Sequence, residues 1–101
     1  MAQIVKSVVV EEEMRFNLAE LSYACGATQA EITVLVEEGV LQPVGETPDR
    51  WFFYGASLRR ARMALRLARD LEMPASGTAV VLELLDEIEQ LRARLRRAGA
   101  R

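Results

Sequence analysis

Two helix-start signals stand close together near the front of the chain, and they restrict its fold more than any other feature. Asn17 is followed by Glu20, and Thr28 by Glu31. Each pair sets an N-capping side chain three residues ahead of a carboxylate that reaches back to the cap's own N–H. Gly26 lies between the two signals as a natural C-terminal stop, and Gly39 follows the second. The spacing predicts helices over 17–26 and 28–39, joined by a turn of about three residues, which is a helix-turn-helix.

The segment 40–54 carries Pro43, Gly45 and Pro48 and closes on Trp51-Phe52-Phe53-Tyr54. Turn residues followed by an aromatic run read as a small hairpin, or wing. In a strand, Trp51 and Phe53 share one face and Phe52 and Tyr54 the other. One pair closes the core and the other is free to anchor a partner. The pattern does not say which; Trp51 and Phe53 stand as the candidate anchors. Upstream, residues 3–10 are rich in valine and isoleucine and read as a short strand.

The remainder reads as helix. Leu58, Ala61, Leu65 and Ala68 recur at helical spacing in a connecting helix over 55–73. Pro74 ends that helix or opens the next. A last helix over 75–98 carries Val81, Leu84, Ile88, Leu91, Leu95 and Ala98 at alternating steps of three and four. That stripe packs either on its own domain or on a second copy. For so small a protein a homodimer is the expectation, held by Val81, Leu84, Ile88, Leu91 and Leu95. The chain is thus expected to be a single, mainly α domain over 1–101. Its parts are a helix-turn-helix and wing (3–54), a connecting helix (55–73) and a dimerisation helix (75–98).

Composition narrows the function. The chain has 101 residues, no histidine and one cysteine. The commonest general base and metal ligand is therefore missing, and neither a disulfide within the chain nor a multi-cysteine zinc site can form. The carboxylate runs Glu11-Glu12-Glu13 and Glu37-Glu38 resemble solvated helix faces, and no glycine-rich phosphate loop is present. No catalytic residue, metal or cofactor is expected, and the reading is that the chain is not an enzyme. Its first residues do not form a convincing signal peptide, and no apolar run approaches the ~20 residues of a membrane span. A cytoplasmic protein without membrane contact is expected.

Charge is unevenly spread. Residues 1–54 hold nine acids against three bases, and residues 55–101 hold ten arginines against six acids. The second helix of a helix-turn-helix normally enters the DNA major groove, where lysine and arginine neutralise phosphates. Here that helix has no basic residue. Glu31, Val34, Glu37 and Glu38 are expected on its outer face, with Ile32, Leu35 and Val36 inward. These acids repel a duplex and either attract a basic protein surface or are simply solvated. Arg59, Arg62, Arg66 and Arg69 share a face of the connecting helix, as a phosphate-binding stripe or as solvated residues pairing with Glu83, Asp86 and Glu87. Cys25 is expected to be a small core residue.

The order of parts resembles the MerR-like winged-helix group. More closely, the chain is similar to the bacterial chaperone modulator family CbpM. The stretches that carry the resemblance are Glu38-Gly39-Val40-Leu41-Gln42-Pro43, Trp51-Phe52-Phe53, the run from Leu65 to Leu71, and the run from Gly77 to Ile88. The resemblance spans about residues 17–97. It implies a protein that binds the J-domain of the DnaJ-like co-chaperone CbpA and inhibits its stimulation of the Hsp70 DnaK. Charge and resemblance together make Glu31, Val34, Glu37, Glu38, Trp51 and Phe53 the expected partner-binding residues. A MerR-like DNA-binding transcriptional regulator is the alternative, and specific DNA binding is not expected.

Overall fold

The computed structural model describes residues 14–99. The chain runs as β1 (Arg15–Asn17), α1 (Leu18–Cys25), α2 (Gln29–Glu37), a one-turn 3-10 helix (Pro48–Arg50), β2 (Phe52–Tyr54), α3 (Gly55–Leu71) and α4 (Ala75–Arg97). The fold is mainly α, a MerR-like helix-turn-helix with a two-stranded sheet and two following helices. The expected strand over 3–10 lies outside the described residues.

Both capping boxes form. Asn17 Oδ1 accepts from Glu20 N at 2.7 Å, and Glu20 Oε1 accepts from Asn17 N at 2.8 Å. Thr28 and Glu31 repeat the exchange at 3.1 and 2.8 Å. Four orphan donors at two helix starts are thereby satisfied by residues three apart, so these boundaries are set locally. Gly26 ends α1 in the left-handed conformation (φ 65°), which a side chain resists.

The sheet differs from expectation. β1 is Arg15-Phe16-Asn17, running straight into the α1 cap, and it pairs antiparallel with β2 so that Phe16 faces Phe53. The wing's returning limb contributes only one bridge, Val44 to Phe52. Gly45 makes that turn possible: its φ is 115°, and a Cβ there would sit 2.6 Å from the Arg50 carbonyl oxygen.

Leu21 of α1, Ile32 and Leu35 of α2, Val40 and Leu41 after it, Phe53 of β2, Leu58, Ala61, Ala64 and Leu65 of α3, and Leu82 of α4 form one core. α3 stops at Leu71, two residues before its expected end. Glu72 takes a left-handed turn (φ 51°) and its N–H satisfies the Ala68 and Arg69 carbonyls. α4 then starts after Pro74 and ends at Arg97. Only Thr78 and Leu82 of α4 are buried. Its first third therefore docks on the core, while the rest of a helix about 34 Å long runs beyond it.

Candidate functional site

α2 presents the face expected of it. Ile32 and Leu35 are buried and Val36 is partly buried, while Glu31, Glu37 and Glu38 are exposed. Val34 is 39% exposed and lies on the same helical face as Glu31 and Glu38. A small apolar centre with an acidic rim is the result.

The members of this face are not equivalent. Glu31 is already engaged: its Oε1 accepts from the Thr28 N–H and, at 3.3 Å, from the Thr28 hydroxyl. It holds the start of α2 and offers only its remaining lone pairs outward. Glu37 closes the helix and Glu38 caps its C-terminal end. Two carboxylates there oppose the negative pole of the helix dipole, so they cost stability rather than add to it.

The aromatic run alternates as a strand demands, and its inner pair is Trp51 and Phe53. Their rings meet edge to face with centroids 6.1 Å apart. Phe53 is 0% exposed and packs at the centre of the core, so it has no surface to give a partner. The expectation that Phe53 binds a partner is corrected: Phe53 is the largest fully buried side chain among the described residues, and its burial closes the core beneath the wing. Trp51 is half-buried. With Pro48 and Asp49 it lines a cleft that also holds Gln29 at the start of α2. Trp51 therefore stands at one end of α2 and Glu37 and Glu38 at the other, about 12 Å apart for nine residues. Phe52 and Tyr54 form the outer pair (5.8 Å), and the Arg15 guanidinium lies 5.1 and 5.9 Å from their ring centroids.

Sequence reasoning missed Arg60. Its Nε donates to the Val40 carbonyl at 2.7 Å, and its two terminal nitrogens reach the Asp86 carboxylate at 3.0 and 3.3 Å. One side chain thus ties α3 both to the residue that leaves α2 and to α4. Asp86 was an expected partner for arginine, but Arg60 lies off the Arg59, Arg62, Arg66, Arg69 face. Only a third dimension shows it. Arg62, Arg66 and Arg69 line a small cleft with Cys25 and Asp70. Burial pushes the Cys25 thiol up from its ordinary value, and the Arg62 charge offsets part of that shift.

The apolar stripe of α4, expected to hold a dimer, stands largely in the open. Val81 is half-buried, but Leu84, Ile88, Leu91 and Leu95 are all exposed, Leu84 and Leu95 by 59% and 58%. Beyond Val81 each side chain of the stripe keeps more than 40% of its surface open, although Ile88 also lines a groove with Met63 of α3.

A family model described as MerR HTH family regulatory protein matches residues 16–98. A chaperone modulatory protein CbpM of Coxiella burnetii (strain Dugway 5J108-111) is 38% identical over 94 residues, covering 93% of this chain and 89% of that protein. The chain belongs to the CbpM family. A CbpM of Pseudomonas putida (strain W619) is 34% identical over 87 residues, covering 86% of this chain and 82% of its own length. The names of these CbpM relatives and of the matching family model point to a regulatory protein and not to an enzyme. Among the described residues, no cluster of histidine, cysteine, aspartate or glutamate is placed to hold a metal ion. No helix there is long and apolar enough to cross a membrane.

Proposed function

We propose that this CbpM-family chain is a cytoplasmic chaperone modulator that binds the J-domain of a CbpA-type co-chaperone. Docking uses the outer face of α2, with Val34 at the centre, Glu31, Glu37 and Glu38 around it, and Trp51 at the wing end. The bound J-domain has its basic helix covered, so it can no longer stimulate DnaK. Inhibition is then direct competition and needs no conformational change. The observation that carries this reading is the second helix of a helix-turn-helix with three exposed carboxylates and no basic residue. Such a face repels phosphate and attracts a basic protein surface. The names of its relatives agree with a chaperone role.

Two copies of the chain pair through Val81, Leu84, Ile88, Leu91 and Leu95 of α4, which presents two docking faces per assembly. The second reading, a DNA-binding regulator, is favoured by the family model's description and by the arginines of α3. The charge of α2 weighs against it.

The test is DnaK ATP hydrolysis driven by the co-chaperone, measured as this chain is titrated in. The reading expects stimulation to fall towards the unstimulated rate as the chain reaches equivalence with J-domain. Glu37→Lys together with Glu38→Lys should weaken that inhibition while leaving the circular dichroism spectrum unchanged. Glu31 is excluded from the set because its loss also removes the reciprocal half of the α2 capping box, the bond from the Thr28 N–H. Unchanged stimulation at saturating chain would overturn the reading.

A further inference from the structure

The small sheet is paired on one side of β1 and open on the other. Phe52 exchanges both of its backbone bonds with Val44, at 3.0 and 2.9 Å. Along an antiparallel strand, successive residues turn their N–H and C=O to opposite sides. Phe53 therefore turns to β1 and exchanges bonds with Phe16, and Arg15 turns its own N–H and C=O away from β2. Among the described residues no strand lies on that side. Asn17 is spared the same exposure, because Glu20 Oε1 accepts from its N–H at 2.8 Å. Beside this edge runs an open, apolar groove of about 430 Å³ between β1 and α1. Phe16, Ala19 and Ala24 form its floor, Met14 its near end and Tyr23 its far end. No residue of α2, α3 or α4 lines it.

We propose that the Val8-Val9-Val10 segment of the same chain pairs with this edge as a third strand and sets one valine into the groove beside Phe16. Position is the first argument. Residues 1–13 join the described chain at Met14, one residue before the open N–H and C=O of Arg15. A segment tethered so closely meets its own edge at an effective concentration on the order of millimolar, ahead of any strand from another molecule. Sequence is the second. Three successive β-branched residues suit a pleated strand, and Glu11-Glu12-Glu13, disfavoured in a sheet, falls where a solvated hairpin loop is needed. A loop of four residues, Glu11 to Met14, sets Val10 against Arg15 and Val9 against Phe16. One more residue in the loop moves Val9 and Val8 into those places, and each is again a valine. Alternation is the third. The residue opposite Arg15 shares its face with Tyr54, and the next shares the inner face with Phe16 and reaches the groove over Ala19. The pairing satisfies the backbone of Arg15 and covers an apolar edge that would otherwise template the pairing of other chains.

Solution NMR of the full, isotope-labelled chain tests the pairing. The Arg15 amide should exchange slowly with solvent, and the methyls of Val9 or Val8 should show nuclear Overhauser contacts to the Phe16 ring and the Ala19 methyl. A variant carrying Val8→Asp and Val9→Asp covers both loop lengths and touches no buried residue of the core, so its α2 and α3 resonances should stay in place. In that variant the Arg15 amide should exchange at least roughly ten-fold faster, the equivalent of losing one buried valine. A Lys6→Asp variant, altered outside the paired residues, should exchange as the unmodified chain does. Random-coil shifts for residues 8–10 in the unmodified chain, or an Arg15 amide that exchanges equally fast with and without the two aspartates, would overturn the proposal. A sample mixed from labelled and unlabelled chains supplies the last arm. Contacts from Val8 or Val9 to Phe16 should arise within one chain; contacts found only between chains would show a strand exchanged with a second copy and would also overturn it. No arm contains a co-chaperone, so the outcome leaves the J-domain reading to its own test.

Discussion

Replacing Arg60 by methionine tests whether one side chain holds three elements together. Methionine keeps most of the aliphatic volume and removes the guanidinium, so the change isolates the polar contacts. The bond from Nε to the Val40 carbonyl is short, at 2.7 Å, and partly buried. A charged donor in such a setting contributes about 1.5 kcal/mol net. The pair with Asp86 is worth less, because the two side chains are 33% and 53% exposed; solvent holds such a bridge to about 0.5 kcal/mol. Arg60→Met should therefore cost about 2 kcal/mol, which for a domain of this size lowers Tm by roughly 10 °C. Asp86→Asn, which removes only the exposed arm, should cost about 0.5 kcal/mol or less. Thermal melts followed by circular dichroism at one fixed chain concentration make the comparison, since a dimer's Tm depends on concentration. Equal losses for the two variants would place the energy in the salt bridge. A neutral Arg60→Met would show that the Val40 bond contributes nothing. Either result refutes the reasoning.

Other consequences are as direct. Phe53→Ala should cost about 3–5 kcal/mol and leave the chain largely unfolded at 37 °C, whereas Tyr23→Ala, at a residue 89% exposed, should shift the urea midpoint hardly at all. The Cys25 thiol should alkylate more slowly in the folded chain than in urea at the same mildly alkaline pH, because burial favours its neutral form. The sign for stability follows: the contribution is whole below the thiol's unfolded value and is lost as pH rises through the higher folded one, so Cys25→Ala should flatten the alkaline limb of the stability profile. Duplex DNA should bind weakly, without sequence preference, and release as salt rises towards physiological levels; a footprint surviving there would favour the regulator reading.

The helix-turn-helix was legible because its signals are local. Asn17 with Glu20, and Thr28 with Glu31, meet across three residues, and no distant contact is needed to form them. The alternation of Trp51 to Tyr54 was legible for the same reason, as a property of any strand. Which of its faces pointed inward was not, because that depends on where Phe16, Leu21 and Ile32 stand. β1 was missed because Arg15-Phe16-Asn17 has little strand propensity of its own; its pairing with β2 comes from Phe16 meeting Phe53 and from the adjoining α1 cap. Arg60 gave no periodic signal at all. Its two partners lie 20 and 26 residues away, one of them a backbone carbonyl that no side-chain pattern reveals. The α4 stripe was clear as a pattern, and its exposure was a matter of how far the core extends.

The central claim is that the acidic face of α2 takes a J-domain. Calorimetric titration of the isolated J-domain of the co-chaperone into this chain, at low and at physiological salt, tests it most directly. The account predicts saturable binding that weakens as salt rises, is cut by Glu37→Lys with Glu38→Lys, more so at low salt, and is little changed when Arg59 and Arg62 are reversed. Binding abolished by the arginine reversals and untouched by the glutamate reversals would contradict the docking face, and no binding at either salt would contradict the claim itself.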